Sequence, residues 1–211
     1  MENFDLLPDD NDVTAERNNP KAEKGKEKAK KVEDLQNSIL AYLHDLVFLL
    51  AALLLLFVML FRIVVVSGDS MLYTLHEGDY LIVLSSSVYK NPKQGDVVVI
   101  SKDVYKDGEP LVKRVIATEG QTVRIEGGYV YVDDVRLEGE ETNPLYEVDF
   151  PITVPEGHVF VLGDNRDNSK DSRSSEIGMI DEREILGKVL VIALPAPENN
   201  GKRDFSRFGA V

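Results

Sequence analysis

A chain of 211 residues with a net charge of −13 has room for one medium-sized domain with tails, and its acidity argues against a nucleic-acid partner. The absence of cysteine excludes disulfides, thiolate metal sites and a cysteine nucleophile. With only three histidines, a metal site built from several imidazoles is not expected either, and we expect no metal and no cofactor.

Residues 1–37 are predicted to form a disordered cytosolic tail. They contain too few apolar side chains to offset the entropy of folding, and residues 21–31 are rich in lysine. An excess of lysine and arginine close to a membrane span is typical of the cytoplasmic side. We therefore expect the N-terminus in the cytoplasm and the residues after the span outside it.

Residues 38–62 predict a single transmembrane helix. They include the wholly apolar run Leu46–Phe61. At about 1.5 Å per residue the segment is long enough to cross a hydrocarbon layer of about 30 Å. The run begins too far from the N-terminus for a cleaved signal peptide. The chain is thus predicted to be a single-pass protein of the cell membrane, with the lipid bilayer as a partner.

Residues 63–197 predict an all-β domain, mostly antiparallel and folded as a sandwich or irregular barrel, on the outer face of the membrane. Short β-branched runs recur between turn signals, and Gly127-Gly128 fits a two-residue hairpin turn. Residues 198–211 predict a polar C-terminal tail. The predicted strands are Tyr80–Leu84, Asp96–Ile100, Val112–Ile116, Thr122–Ile125, Tyr129–Val132, His158–Leu162 and Lys188–Ile192.

Ser70 is the first candidate for chemistry. It follows the span within a few residues, so a nucleophile there would act at the membrane surface on a substrate held at the membrane. Gly68, two residues earlier, allows the backbone to turn tightly and to expose an N–H. Considered in isolation, a serine at this position is more often an ordinary loop residue at the end of a strand.

A serine hydroxyl needs a base, because it is a weak nucleophile on its own. His76 and His158 are two candidates, although no aspartate is placed to mark either as part of a triad. Lys113 is the third, because it lies in a strand-forming run where either Lys113 or Arg114 must point inward. A buried lysine can act as a neutral base, but an exposed pair of basic residues fits the spacing equally well.

The polar segment Gly-Asp-Asn-Arg-Asp-Asn-Ser-Lys-Asp-Ser-Arg at residues 163–173 is the third feature. Asp167, Ser169 and Asp171 have the spacing of the first three ligands of an EF-hand calcium loop. However, serine replaces glycine at the sixth position, glycine replaces glutamate at the twelfth, and the flanking segments are strand-like. We therefore reject a calcium site.

In this order behind one span, these segments resemble the single-span type I signal peptidases of bacteria, the serine–lysine enzymes of peptidase family S26. The resemblance covers about Phe57 to Leu194 and implies a serine endopeptidase that removes signal peptides from exported preproteins outside the membrane. The matching segments are Ser-Gly-Asp-Ser-Met-Leu-Tyr-Thr-Leu from residue 67, Gly-Asp-Tyr-Leu-Ile-Val from residue 78, Lys-Arg-Val-Ile from residue 113, residues 163–173, and Gly187-Lys188.

The resemblance also implies a role for each matched residue. Ser70 would be the nucleophile and Lys113 the general base, while Ser169 would hydrogen-bond to the lysine amine and orient it. The further expectations are a pairing of Asp171 with Arg173 or Arg114, a place for Met71 in the substrate cleft, and the backbone N–H of Ser70 as an oxyanion donor.

The chain departs from the family pattern at two positions. Gly68 stands where some relatives supply a serine hydroxyl to the oxyanion, and Ser67 cannot be assumed to replace it. Tyr73 stands where the family usually has proline, three residues after the nucleophile. Tyrosine can adopt the φ angle of proline without enforcing it, so we expect a tolerated divergence.

Two alternatives stay open beside this interpretation. Self-cleaving serine–lysine regulators share this type of β-fold, but they are soluble, and the span before Ser70 argues against them. A non-catalytic or altered-specificity signal-peptidase-like protein could act in the assembly of surface proteins. Such a protein would be expected to lose the serine or the lysine, and both Ser70 and Lys113 are present.

Overall fold

The computed structural model describes residues 20–101, 109–137, 147–198 and 201–211. The chain divides into two compact units, Met1–Leu55 and Leu56–Val211. Its regular elements are α1 (Pro20–Leu60), β1 (Phe61–Val65), β2 (Tyr80–Ser85), β3 (Val97–Ile100), β4 (Leu111–Thr118), β5 (Thr122–Glu126), β6 (Tyr129–Val132), β7 (Val135–Arg136), β8 (Ile152–Thr153), β9 (His158–Leu162), β10 (Ile180–Asp181), β11 (Ile185–Leu194) and β12 (Gly209–Ala210).

The helix α1 contains a stretch that is long and apolar enough to cross a membrane. Its large apolar side chains are exposed, as expected of a helix whose surroundings are lipid. The helix starts at Pro20, so residues 20–37 are helical here instead of disordered, because alanine, lysine and glutamate are good helix formers. Residues 1–19 of the predicted tail lie outside the described residues. The side of the membrane on which the N-terminus lies stays a prediction.

The strands of residues 56–211 form two antiparallel sheets. The larger has the order β1-β2-β11-β3-β4-β9-β10, with β12 also paired to β11, and the smaller has the order β7-β6-β5-β8. The predicted fold class, a mostly antiparallel β-domain behind one N-terminal apolar helix, is confirmed. Each predicted strand is present, and Gly127 and Gly128 join β5 to β6 with the positive φ angles that the hairpin requires.

The additional strands are short, and β1 is the informative one. Phe61–Val65 continues an apolar run, and the span predicted from the sequence ends within it at residue 62, but the β-branched residues of this segment pair with β2 instead. Because β1 and β2 are neighbours in the sheet, the loop that joins them has its two ends side by side. That loop carries Ser70.

The strand β4 places the candidate base. Its side chains alternate, so that Leu111, Lys113 and Val115 are buried while Val112 and Arg114 are half-buried. This is the period-two pattern of a strand with one face on the core. It sends Lys113 inward and Arg114 to the other face, which decides between the two possibilities that the sequence left open.

The segment predicted as a polar C-terminal tail belongs to the β-domain. Residues 209–210 form β12 and pair with Val191 and Ile192 of β11. Arg207 makes an ion pair with Asp79, and Val211 packs against the hydrophobic core. The predicted boundary at residue 197 is therefore not a boundary of the fold.

Candidate active site

The nucleophile loop, residues 66–79, joins β1 to β2. Its base is closed by two backbone hydrogen bonds: the N–H of Val66 donates to the carbonyl of Asp79 and the N–H of Gly78 donates to the carbonyl of Val66, both at 2.9 Å. Ser70 lies within this loop and is half-buried. The loop is therefore an excursion from the sheet, and backbone hydrogen bonds join its two ends.

Lys113 reaches Ser70 across the sheet. Its Nζ donates a hydrogen bond of 2.6 Å to the Oγ of Ser70, and only 2% of the residue is exposed. Removing an amine from water costs its charged form more than its neutral form. The structure thus brings a serine hydroxyl into contact with a buried lysine, which is the arrangement that a serine–lysine dyad requires.

Neither histidine takes this place. The Nδ1 of His158 is 2.9 Å from the carbonyl of Glu156, and His76 is exposed. In the part of the chain that the structure describes, neither ring hydrogen-bonds to Ser70. Of the three candidate bases, Lys113 is the one that hydrogen-bonds to Ser70 in the described residues.

The loop after β9 contacts the backbone of the nucleophile loop at Ser70 and at the residue before it. The backbone N–H of Asn165 donates to the carbonyl of Ser70 at 3.1 Å, and its Nδ2 donates to the carbonyl of Asp69 at 3.0 Å. Gly163 lies so close that a Cβ there would overlap the carbonyl of Ser70 and the Oγ of Ser169. Only glycine permits this approach.

A second network joins the nucleophile loop to the strand of the base. The Oγ1 of Thr74 donates to the Oδ2 of Asp164 at 2.5 Å, and Arg114 makes a two-pronged pair with the same carboxylate at 2.8 and 2.7 Å. These hydrogen bonds raise the pKa of Arg114 above its ordinary value. Thr74 and Asp164 both lie inside the segments that resemble the family, but the sequence alone indicates no role for either. The sequence feature that could have pointed to them is their position, because Thr74 lies four residues after Ser70 and Asp164 directly follows Gly163.

Asp171 pairs with Arg173 and not with Arg114. The Nε of Arg173 is 2.8 Å from Oδ1, its Nη2 is 2.9 Å from Oδ2, and both side chains are buried. The N–H of Gly163 also donates to Asp171, at 3.0 Å. The Asp171–Arg173 pair therefore fixes the segment that contacts Ser70. Arg114 instead pairs with Asp164.

Comparison with known proteins agrees with this geometry. The family model for "Signal peptidase, peptidase S26" matches residues 39–194. This chain belongs to the S26 signal peptidase family. The "Probable signal peptidase I-1" of Synechocystis sp. is 39% identical over 139 residues, which cover 62% of this chain and 70% of that protein. The "Signal peptidase I" of Bacillus licheniformis is 33% identical over 175 residues, covering 77% and 92%.

A solved signal peptidase I from Enterococcus faecalis V583 is 29% identical, covers 47% of this chain and 97% of its own, and has a TM-score of 0.40. The family predicted from the sequence is confirmed by the family model and the sequence relatives. With the apolar helix found near the N-terminal end of the described residues, this signal peptidase family member is a membrane-anchored protein.

A cleft of about 250 Å³ opens at the dyad of this family member. One wall is the run from Val66 to Met71, and another is the run from Glu109 to Lys113. Met71 borders the cleft as expected, although only 1% of it is exposed and it also packs in the core. In the described residues the N–H of Ser70 donates no hydrogen bond, so it is available to an oxyanion.

The hydrogen bond expected between Ser169 and the lysine is absent from the described residues. The Oγ of Ser169 is buried and has no hydrogen-bond partner there. It lies beside Gly163, whereas the amine of Lys113 is directed to Ser70.

The two departures from the family pattern differ in their consequences. Gly68 has φ +81°, a conformation that glycine adopts freely. Tyr73 has φ +84° and its side chain is 66% exposed. Proline holds φ near about −65°, so Tyr73 does not use the conformation that proline would impose here, and whether the enzyme tolerates the divergence stays a prediction. The hydrogen bond from the N–H of Thr74 to the carbonyl of Met71 closes a turn around this left-handed residue.

Proposed function

We propose that this chain is a membrane-bound signal peptidase I, a serine endopeptidase that removes N-terminal signal peptides from exported preproteins with Ser70 as nucleophile and Lys113 as general base. The observation that carries the proposal is the 2.6 Å hydrogen bond between a buried lysine and a serine at the end of an open cleft. Membership of the signal peptidase family supplies the substrate class.

The reaction uses the dyad twice. As the Oγ of Ser70 attacks the scissile carbonyl, neutral Lys113 takes the hydroxyl proton and then delivers it to the nitrogen of the leaving peptide. The oxyanion accepts a hydrogen bond from the N–H of Ser70. Water then attacks the acyl-enzyme, Lys113 takes the water proton, and the proton returns to Ser70 as the ester bond breaks.

The surrounding residues keep the dyad aligned. Asp164 links Thr74 of the nucleophile loop to Arg114, the neighbour of Lys113, so one carboxylate connects the loop that carries the serine to the strand that carries the lysine. The Asp171–Arg173 pair fixes the segment behind Ser70. Ser169 is the proposed second partner of the lysine amine, because its buried hydroxyl is available when the contact with Ser70 breaks.

The proposed topology is a single pass with the N-terminus in the cytoplasm. Its support is the lysine-rich stretch on the N-terminal side of the apolar run, together with the exposed apolar surface of α1. The β-domain would then lie outside, where the signal peptides of exported proteins become accessible. Protease added to intact spheroplasts should digest the β-domain and spare an N-terminal epitope, and the reverse pattern would refute the topology.

Cleavage of a preprotein by the full chain in detergent tests the mechanism. Ser70→Ala and Lys113→Ala should each lower kcat by at least about 10³-fold, because each removes a partner of the proton transfer. Lys90→Ala, at an exposed lysine, is the matched control and should leave kcat unchanged. Turnover near that of the wild type in either dyad variant would contradict the assignment.

A further inference from the structure

Asp79 is a buried carboxylate at the base of the nucleophile loop. Its side chain is completely buried and accepts four hydrogen bonds. Two come from the backbone N–H groups of His76 and Ala196, at 2.8 and 2.7 Å, and two from the Nη1 and Nη2 of Arg207, at 3.1 and 2.6 Å. A buried charge of this kind is tolerated only while its partner is in place.

The position of Asp79 gives this pair a mechanical consequence. The carbonyl of Asp79 accepts the hydrogen bond from Val66 that closes the nucleophile loop, and the carboxylate of the same residue is held by Arg207. The tip of the loop is held separately, by Asn165 and Asp164. The loop that carries Ser70 is therefore held at two places, and Arg207 binds the residue that closes one of them.

Arg207 belongs to the clasp segment, residues 201–211. This segment is seated through β12, which pairs with β11, and through Val211, which packs in the same hydrophobic cluster as Met71 and Leu75 of the nucleophile loop. A groove is lined by the loop on one side and by Asp204 and Arg207 on the other. The clasp segment lies outside residues 39–194, which the family model matches.

We propose that the clasp segment positions the nucleophile loop, and that Arg207 is a positioning residue that keeps Ser70 aligned with Lys113 through Asp79. The inference rests on the proposed function, since its kinetic test needs a peptidase. Misplacing a reacting group by about 1 Å can cost about 10²-fold in rate. A methionine at position 207 retains the bulk of the side chain and removes only its charge and donors.

For Arg207→Met in the full chain, we expect kcat per folded molecule to fall by about tenfold or more, with a much smaller change in KM. Arg207→Lys restores the charge and part of the hydrogen bonding, so it should recover part of kcat. The double variant Asp79→Asn with Arg207→Met removes both charges and should be more active than Arg207→Met alone, because no unpaired buried charge remains.

Lys188→Met is the matched control. Lys188 pairs with Asp96 at 2.6 Å within the same sheet, and in the described residues it makes no hydrogen bond with the nucleophile loop. Its loss should lower the thermal unfolding midpoint without changing kcat. A purely structural role for Arg207 would make the two variants alike. Equal kcat in Arg207→Met and Lys188→Met, at matched folded fractions, would overturn the proposal.

Hydrogen exchange provides a readout that needs no activity. Amides of residues 67–79 should exchange faster in Arg207→Met than in Lys188→Met, while amides of β4 should be unchanged. Acceleration confined to residues 201–211 would overturn the proposal. If the wild type cleaves no preprotein, the proposed function fails, and hydrogen exchange alone still decides the clasp. If Arg207→Met does not fold, the same measurements on Arg207→Lys and on the double variant are compared with Lys188→Met.

Discussion

Replacing Tyr73 by proline should damage the enzyme, although proline is the usual residue of the family at this position. Tyr73 has φ +84°, whereas the proline ring holds φ near about −65°, a difference of about 150°. The turn that contains it is closed by the hydrogen bond from the N–H of Thr74 to the carbonyl of Met71. Proline cannot be accommodated without rebuilding this turn.

The magnitude follows from the backbone alone, because the side chain of Tyr73 is 66% exposed and contributes little buried surface. A proline in an incompatible conformation costs about 3 kcal/mol or more. Because the turn leads directly out of Ser70, kcat should also fall by at least about tenfold. Glycine is the matched control. It relieves a left-handed strain of about 1–2 kcal/mol but loses about 0.5–1 kcal/mol through its greater freedom when unfolded.

Urea unfolding and preprotein cleavage measure the two effects. Tyr73→Pro should lower the free energy of unfolding by about 3 kcal/mol, while Tyr73→Gly should match or slightly exceed the wild type in stability. Tyr73→Ala keeps the strain and removes the ring, so it isolates any contribution of the ring to turnover. Wild-type stability and turnover in Tyr73→Pro would refute the reasoning, because it would show that the turn accepts the φ angle of proline.

Gly163→Ala should lower kcat by about 10²-fold, because its Cβ would overlap the carbonyl of Ser70, while Gly25→Ala, in open space on α1, should leave cleavage unchanged. Undiminished cleavage by Gly163→Ala would contradict the close approach. The pH dependence of stability should reflect Asp79. Burial raises its pKa, but hydrogen bonds from Arg207 and from two backbone N–H groups outweigh burial and hold the pKa below the ordinary 3.8. The unfolded chain therefore binds this proton at higher pH than the folded chain does, so the stabilisation is complete above about pH 4 and is lost as the pH falls further. Chemical denaturation between pH 2 and 6 should show a shallower slope for Asp79→Asn, and an unchanged slope would exclude Asp79 as a contributor.

The local sequence was sufficient for the apolar helix and the longer strands, and it offered Ser70 and Lys113 as candidates. The apolar run before Ser70 predicted a helix because hydrophobic length is a property of consecutive residues. Alternation in the run from Leu111 to Ile116 required one of Lys113 and Arg114 to point inward, because successive side chains on a strand face opposite sides. The resemblance to a family then selected Lys113, and the structure brings it to Ser70.

The contacts that hold the nucleophile loop in place are visible only in the tertiary structure. Asp79 and Arg207 are far apart in the sequence and carry no motif that links them, so their pairing depends on how β12 returns to β11. The φ angle of Tyr73 is fixed by the turn around it, and the local preference of tyrosine gives no sign of it. Ser70 shows what each level of structure determines. Residue types and their spacing identify a nucleophile and a base, whereas their alignment is set by hydrogen bonds between distant segments, which exist only after the sheet has formed.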